Sequence, residues 1–348
     1  MISVLTSGGT VAANAAEQVS VQADTVGADT AAAVAAGGQV LGAASTRLAS
    51  LRSGAQYASA EGTGFATGGQ KLSKSGWFKP FVNLIRQGTR NNIKGYDADT
   101  YGAAWGIDGE VNKNMRLGAS FAYSQTDVDG KGTGQSQTDV TSYQGMVYGD
   151  YTAKTYFVEG MIAYARNESD TSRILNFGGI NRTILGNFDS NQYMAKVSAG
   201  VPNNIKGATF ITPTAGLSWT HVTSDSYTET GGVGFNQIVN PENVDVVVGS
   251  VGVKIHTKTK FGNGFIVPEL RGGLNYDFAG DEATASATFT GGGAAFNVTG
   301  AEVAQLSGNA GLGLTYVHGA FSLSAKYDAE IKEDFVSHSG TLEARLKF

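Results

Sequence analysis

Thr341-Leu342-Glu343-Ala344-Arg345-Leu346-Lys347-Phe348 ends the chain on a strict alternation of apolar and charged side chains. At the two-residue period of a strand, Leu342, Ala344, Leu346 and Phe348 share one face, and Glu343, Arg345 and Lys347 share the other. Alone, the pattern says only that the strand is half-buried. Whether its apolar face meets a protein core or lipid is decided by the rest of the chain.

Composition narrows the choice. The 348 residues include 49 Gly but only 5 Pro, with 41% hydrophobic and 16% charged side chains. Without a strict Gly period this is not collagen, and the apolar fraction is too high for a disordered tail. No run approaches the roughly 18 apolar residues of a membrane helix, so any membrane crossing must be made by strands. The absence of cysteine removes disulfides, thiolate metal sites and cysteine nucleophiles together. A net charge of -5 argues against nucleic acid as a partner.

Catalytic motifs are equally sparse. His221, His256, His318 and His338 are the four histidines, and none stands in a His-Glu-x-x-His or comparable ligand spacing. His221 with Asp225 is the one acid-base pair that could form a rim dyad. Gly231-Gly232-Val233-Gly234 and Gly291-Gly292-Gly293 lack the Lys-Ser/Thr of a phosphate loop and read as flexible turns. No Gly-x-Ser-x-Gly elbow occurs. The expectation is therefore no catalytic, metal or cofactor site, and no cofactor.

Up to about Ser75 the chain is rich in Ala, Gly, Ser and Thr, and its first basic residue is Arg47. Met1 to Val11 has neither a positive n-region nor a sustained apolar h-region. An exported chain needs a signal, so the sequence is expected to be the C-terminal piece of a longer precursor, with residues 1–28 a flexible remnant or linker. Residues 29–75 are read as a linker with a helix. Asp29-Thr30 caps it, Gly37-Gly38 weakens it by about 1 kcal/mol per Gly, and Ser53-Gly54 stops it. Leu41, Ala44, Leu48 and Leu51 make a narrow apolar stripe, with Arg47 and Arg52 beside it.

From Trp77 onward about twelve alternating segments follow, each near the roughly 9 to 11 residues that cross a bilayer as a tilted strand. They lie near 76–87, 98–111, 115–127, 138–152, 155–167, 190–202, 208–222, 244–258, 264–278, 303–317, 320–331 and 336–348. Parity is plain in several. Ile266, Pro268, Leu270, Leu274, Tyr276 and Phe278 oppose Glu269, Arg271, Asn275 and Asp277. Tyr101, Trp105, Ile107 and Val111 oppose Asp108 and Glu110. Every second join is a tight turn, as at Asn112-Lys113-Asn114, Ala153-Lys154 and His318-Gly319, while most others are long, as at 168–189, 223–243 and 279–302. A soluble sandwich has no reason to sort its loops by end; a membrane barrel has short periplasmic turns and longer external loops. The fold class is thus an all-β transmembrane, roughly 12-stranded antiparallel outer-membrane barrel over 76–348, with an N-terminal α-helix in its pore.

These residues resemble the autotransporter β-domain, the C-terminal translocator of type V secretion, and in particular the surface-antigen autotransporters of rickettsia-like bacteria. The resemblance runs from about Leu41 to Phe348. It rests on Arg47-Leu48-Ala49-Ser50-Leu51-Arg52, Trp77-Phe78-Lys79-Pro80-Phe81, Gly106-Ile107-Asp108-Gly109, Thr212-Pro213-Thr214-Ala215-Gly216-Leu217, Pro268-Glu269-Leu270-Arg271, and Tyr327-Asp328 through Phe348. It implies a helix-plugged barrel that anchors an N-terminal passenger and exports it to the cell surface. The paired asparagines at which some members cut themselves are absent from the expected helix, so the resemblance does not extend to self-cleavage.

The lumen-facing set is then Asp108, Glu110, Arg116, Glu159, Lys196, Lys254, Glu269, Arg271, Lys326, Asp328, Glu330, Glu343, Arg345 and Lys347. Asp108, Glu159 and Glu269 are the expected grips on Arg47 and Arg52. By the resemblance, Leu342, Ala344, Leu346 and Phe348 form an assembly signal. The implied partners are outer-membrane lipid, the barrel-assembly machinery, periplasmic chaperones and the chain's own passenger. A closed barrel has no free edge and is expected to be monomeric. The competing readings are a porin-like channel with an open lumen and an outer-membrane hydrolase with a rim site.

Overall fold

A computed structural model describes residues 9–20, 23–60 and 73–348. Two helices, α1 (Gly9–Val19) and α2 (Ala23–Ala60), precede β1 (Lys74–Gln87), β2 (Tyr96–Glu110), β3 (Met115–Gly130), β4 (Gln137–Thr152), β5 (Phe157–Phe177) and β6 (Ile180–Gly200). Then come β7 (Asn203–Lys206), β8 (Thr209–Ser224), β9 (Tyr227–Thr228), β10 (Gln237–Pro241), β11 (Val244–Thr257) and β12 (Thr259–Phe261). The last six are β13 (Gly264–Asp277), β14 (Thr284–Phe289), β15 (Phe296–Thr299), β16 (Leu306–His318), β17 (Phe321–Lys332) and β18 (Phe335–Lys347).

Twelve strands, β1 to β6, β8, β11, β13, β16, β17 and β18, pair antiparallel around a closed ring. The terminal strand closes it: β18 pairs β17 on one side and β1 on the other, with Trp77 opposite Arg345 and Gly76 opposite Leu346. Closure satisfies the backbone that a bilayer would otherwise leave without partners. Leu342, Leu346 and Phe348 are 54%, 56% and 71% exposed and face lipid, whereas Glu343 is buried in the lumen. Tyr101, Trp105, Ile107, Leu270, Leu274 and Phe278 are exposed on the same outer face.

α2 threads the lumen. At 38 residues it is about 57 Å long, more than the roughly 30 Å of the hydrocarbon layer. It starts at Ala23 rather than Asp29 and passes Gly37-Gly38 and Ser53-Gly54 without a break. Gly37 sits where packing against the wall, rather than intrinsic propensity, decides, whereas Gly38 faces open space. A Cβ on Gly37 would lie 2.6 Å from the Met194 sulfur and 2.7 Å from Gln192 Nε2, so glycine is what lets the helix approach β6.

The external joins also differ from expectation. Residues 168–189 are not a loop: β5 and β6 run on as a hairpin to Gly178-Gly179, both at positive φ. Above the membrane the outer face carries Glu168 and Asp170, while the inner face buries Ser169 and Arg173 beside Leu175 and Ile184, so the apolar/polar contrast of the barrel strands is lost. Segments 223–243 and 279–302 hold β9, β10, β14 and β15, which form a four-stranded sheet over the long-loop end. Its core of Val239, Ala285 and Ala287 packs with Val26 of α2. The glycine clusters do form turns, with Gly231, Gly234, Gly292 and Gly293 at positive φ.

Candidate functional site

The helix does not run down the centre of the pore. Its narrow apolar face, Val40, Leu41, Ala44 and Leu48, packs on Trp77, Phe81, Met146, Tyr148, Met161 and Met194 of β1, β4, β5 and β6. Nearer its start, Ala28 and Ala32 pack on Ile85, Tyr96, Ala98 and Val128. Large rings fit beneath a helix because they lie over cross-strand glycines: Trp77 is paired with Gly106, Phe81 with Gly102 and Tyr148 with Gly118. A Cβ at Gly106 would sit 2.7 Å from the Trp77 ring. Part of the chain's high glycine content is thus floor space for lumenal aromatics.

Two arginines fix the helix to this wall. Arg47, fully buried, donates from Nε to Asp108 Oδ2 at 2.6 Å and from Nη2 to Asp108 Oδ1 at 2.7 Å and Ser75 Oγ at 2.6 Å. Ser75 Oγ and Tyr148 OH donate to the same carboxylate at 2.7 and 3.1 Å, and Trp77 Nε1 donates to the Tyr148 oxygen at 2.7 Å. A fork geometry with every acceptor occupied is what a buried ion pair needs to offset desolvation. Arg52 reaches Asp150 at 3.1 Å and Glu159 at 2.8 Å, with its guanidinium 3.7 Å from the centre of the Phe157 ring.

Lys79 adds a contact in the opposite sense, from wall to helix. Its ammonium donates to the Ala43 carbonyl at 3.0 Å and to Thr46 Oγ1 at 2.8 Å, and pairs with Glu343 at 2.8 Å. Glu343 also lies 3.5 Å from Arg47.

Of the carboxylates expected to hold the arginines, Asp108 holds Arg47 and Glu159 holds Arg52. Glu269 does not: it pairs with Lys326 at 2.9 Å and with Arg271, which also holds Asp328 at 2.7 Å. The reason is position, since β13 and β17 lie across the lumen from the helix-bearing wall. Arg116 pairs with Asp150 at 3.3 Å, Glu110 accepts from the Ser73 amide at 3.3 Å, and Glu330 lies 4.0 Å from Lys332. Arg345 faces the lumen half-buried. Lys79 and Asp150 escaped sequence reading. Lys79 shares its lumenal face with Trp77 and Phe81, so its face does not look polar; Asp150 follows the parity of Gln144, which continuing the alternation along β4 would have found.

Across from the helix, β8, β11, β13, β16 and β17 bound a cavity of about 690 Å³. Thr212, Thr214, Ser218, Ser250, Asn275 and Asn309 line it. At the external end, the carbonyls that close α1 are captured: Arg173 donates to Gln18 O and Gln237 Nε2 to Val19 O, each at 2.6 Å. Arg173 is itself held by both oxygens of Glu229, at 2.8 and 2.7 Å.

The expected rim dyad is not assembled. His221 Nδ1 lies 3.1 Å from Asp245, not Asp225, and its ring stacks on the lipid-facing Trp219. Among the described residues no group of three or more His, Asp or Glu is arranged to hold a metal ion.

Comparison with known proteins agrees with this geometry. Outer membrane protein A of Rickettsia conorii is 28% identical over 282 residues, 78% of this chain and 14% of that protein. Outer membrane protein B of Rickettsia prowazekii is 27% identical over 319 residues, 87% of this chain and 19% of that protein. The chain thus spans under a fifth of the length of either relative. The translocator domain of the autotransporter NalP from Neisseria meningitidis shares the fold, with a TM-score of 0.66 at 19% identity, covering 93% of this chain and 99% of that one. Residues 76–328 match the family model described as the autotransporter beta-domain, and the chain belongs to that family, as an integral outer-membrane translocator barrel.

Proposed function

We propose that this barrel carries an N-terminal passenger across the outer membrane and then retains α2 as a fixed plug that anchors it. One observation carries the reading: the chain leads out of the barrel at the long-loop end, where α1 is held, while its other end returns through the pore to β1. A passenger N-terminal to α1 is therefore delivered outside. The porin-like reading needs an open lumen, whereas here α2 fills one side of it and is held by buried ion pairs. The domain's work is transport; chemistry at a cell surface would belong to the passenger.

The test fuses a reporter domain upstream of Met1 behind a signal peptide. Surface labelling of the reporter on intact cells is expected with the full chain and lost when β18 is removed. A reporter that stays periplasmic while the barrel assembles would overturn the proposal. Assembly through Leu342, Ala344, Leu346 and Phe348, with chaperones and the assembly machinery as partners, is part of the same reading. Phe348 is exposed to lipid, and its amide donates to the Lys74 carbonyl at 2.9 Å. Removing Phe348 should lower the heat-modifiable, folded fraction in outer membranes.

A further inference from the structure

The rim at the short-turn end of the barrel is basic throughout, whereas the long-loop rim is mixed, with Arg90, Lys94 and Lys131 beside its acids. Joins 111–114, 153–156, 201–208, 258–263 and 319–320, which share an end with Phe348, contain Lys113, Lys154, Lys206, Lys258 and Lys260 and no Asp or Glu. The long external segments 225–243 and 278–305 contain six acids and no Lys or Arg. Such a polarity is not needed to close a barrel.

The lysines also have a fixed height. Lys113 lies between Val111 and Met115, which are 48% and 38% exposed on the lipid face. Lys206 follows Ile205, Lys260 precedes Phe261, and Lys154 stands two residues before Tyr156, all three neighbours being exposed. Each exposed ammonium is thus tied to a side chain at the edge of the apolar belt. The alkyl stem can lie along hydrocarbon while the charge stands at headgroup level. Lys258 shows the same amphipathic use, with its ammonium 3.9 Å from the centre of the Phe265 ring.

We propose that this rim binds anionic phospholipid headgroups of the periplasmic leaflet, a phosphodiester without a compensating ammonium. A zwitterionic headgroup offers its own cation and gains less from a lysine ring that has no carboxylates between its members. The height of the lysines beside lipid-facing side chains favours a lipid over the cell-wall polymer below it.

The test reconstitutes the full chain in vesicles of phosphatidylcholine containing phosphatidylglycerol and compares spin-labelled forms of the two lipids at the protein surface. The wild type should prefer phosphatidylglycerol by about threefold at low salt and lose most of that preference at ~1 M salt. The variant K113Q/K154Q/K206Q/K260Q, shown to be folded by heat-modifiability, should approach equal association, and the matching Lys→Arg variant should keep the preference. Equal association in the wild type, a preference insensitive to salt, or one undiminished in the Gln variant would overturn the proposal. Lysine-dependent retention on isolated peptidoglycan with no lipid preference would do so too. If the Gln variant fails to fold, the salt comparison on the wild type decides.

Discussion

The lumen has two unlike walls. Toward the helix, β1 to β6 and β18 present Asp108, Asp150, Glu159 and Glu343 together with Lys79, Arg116, Lys196 and Arg345; Lys79 pairs with Glu343 and Arg116 with Asp150. Asp108 and Glu159 form their ion pairs with Arg47 and Arg52 of the helix. On the far side, Glu269, Lys326, Arg271 and Asp328 pair among themselves, with Lys254 on the same lumenal wall and Thr, Ser, Asn and Val side chains around them. Asp108 and Glu159 have their ion pairs only with the helix in place; the pairs of the far wall form without it. A buried carboxylate that loses its cation is costly, so these two pairs are themselves a driving force for the helix to remain. The self-contained wall keeps its ion pairs whether or not anything lies beside it, which suits a surface past which a polypeptide must move.

The sharpest way to break this difference is Arg47→Ala. It leaves the buried Asp108 carboxylate with Ser75 and Tyr148 but without its cation, and should weaken helix docking by about 3–5 kcal/mol. Single-channel recordings should show frequent transitions to a larger conductance; a trace like the wild type would mean that Arg47 does not hold the helix. Arg52→Ala should act in the same direction but less, because Arg116 still faces Asp150. Leu48→Ala tests the apolar part of the same wall. The side chain is fully buried, and its truncation should cost about 2–4 kcal/mol, read as faster protease cleavage within α2.

How far these walls could be read from sequence depended on contrast. The barrel strands were legible where one face meets lipid and the other water, as in Leu342 to Phe348, and the loop lengths then oriented the molecule. The β5–β6 hairpin and the four-stranded cap were not, because above the bilayer the outer face carries polar side chains and the buried face mixes Ser169, Arg173 and Glu229 with Leu175, Ile184 and Val239, so the two-residue period carries little hydrophobic signal. The helix was legible from its leucine stripe, but its ends were not. Glycine at 37, 38 and 54 argues for interruption in water, and only the nearness of Gln192 and Met194 shows why Gly37 is required. Among the charges, parity assigned Asp108, Glu159 and Glu269 to the lumenal face, and Asp108 and Glu159 pair with the helix while Glu269 pairs with Lys326. Parity could not tell which side of the lumen the helix occupies, and so could not separate Glu269 from the other two.

Gly37→Ala sharpens the packing side of the comparison. The added methyl meets the ends of two flexible side chains rather than backbone, so Gln192 and Met194 can give, and the cost should be about 1 kcal/mol. Gly37→Leu, which no rotation of those two side chains accommodates, should cost more and raise the conductance events seen with Arg47→Ala. If Gly37→Leu left the recordings unchanged, the helix would not be seated against β6.

The smallest effect is expected on the far wall. Lys326→Gln removes the 2.9 Å partner of Glu269 but leaves Arg271 in contact with it, and neither residue touches α2. Helix retention should therefore stay within about 0.5 kcal/mol of wild type. The cavity beside the helix loses one positive charge, however, so the residual current through the plugged barrel should shift toward cations, measurable as a change in reversal potential under a salt gradient. Arg47→Ala should show the reverse pairing, a large change in gating. A Lys326→Gln variant that released the helix as readily as Arg47→Ala would show that the two walls act as one, and the division of the lumen into a clamped and a self-contained half would fail.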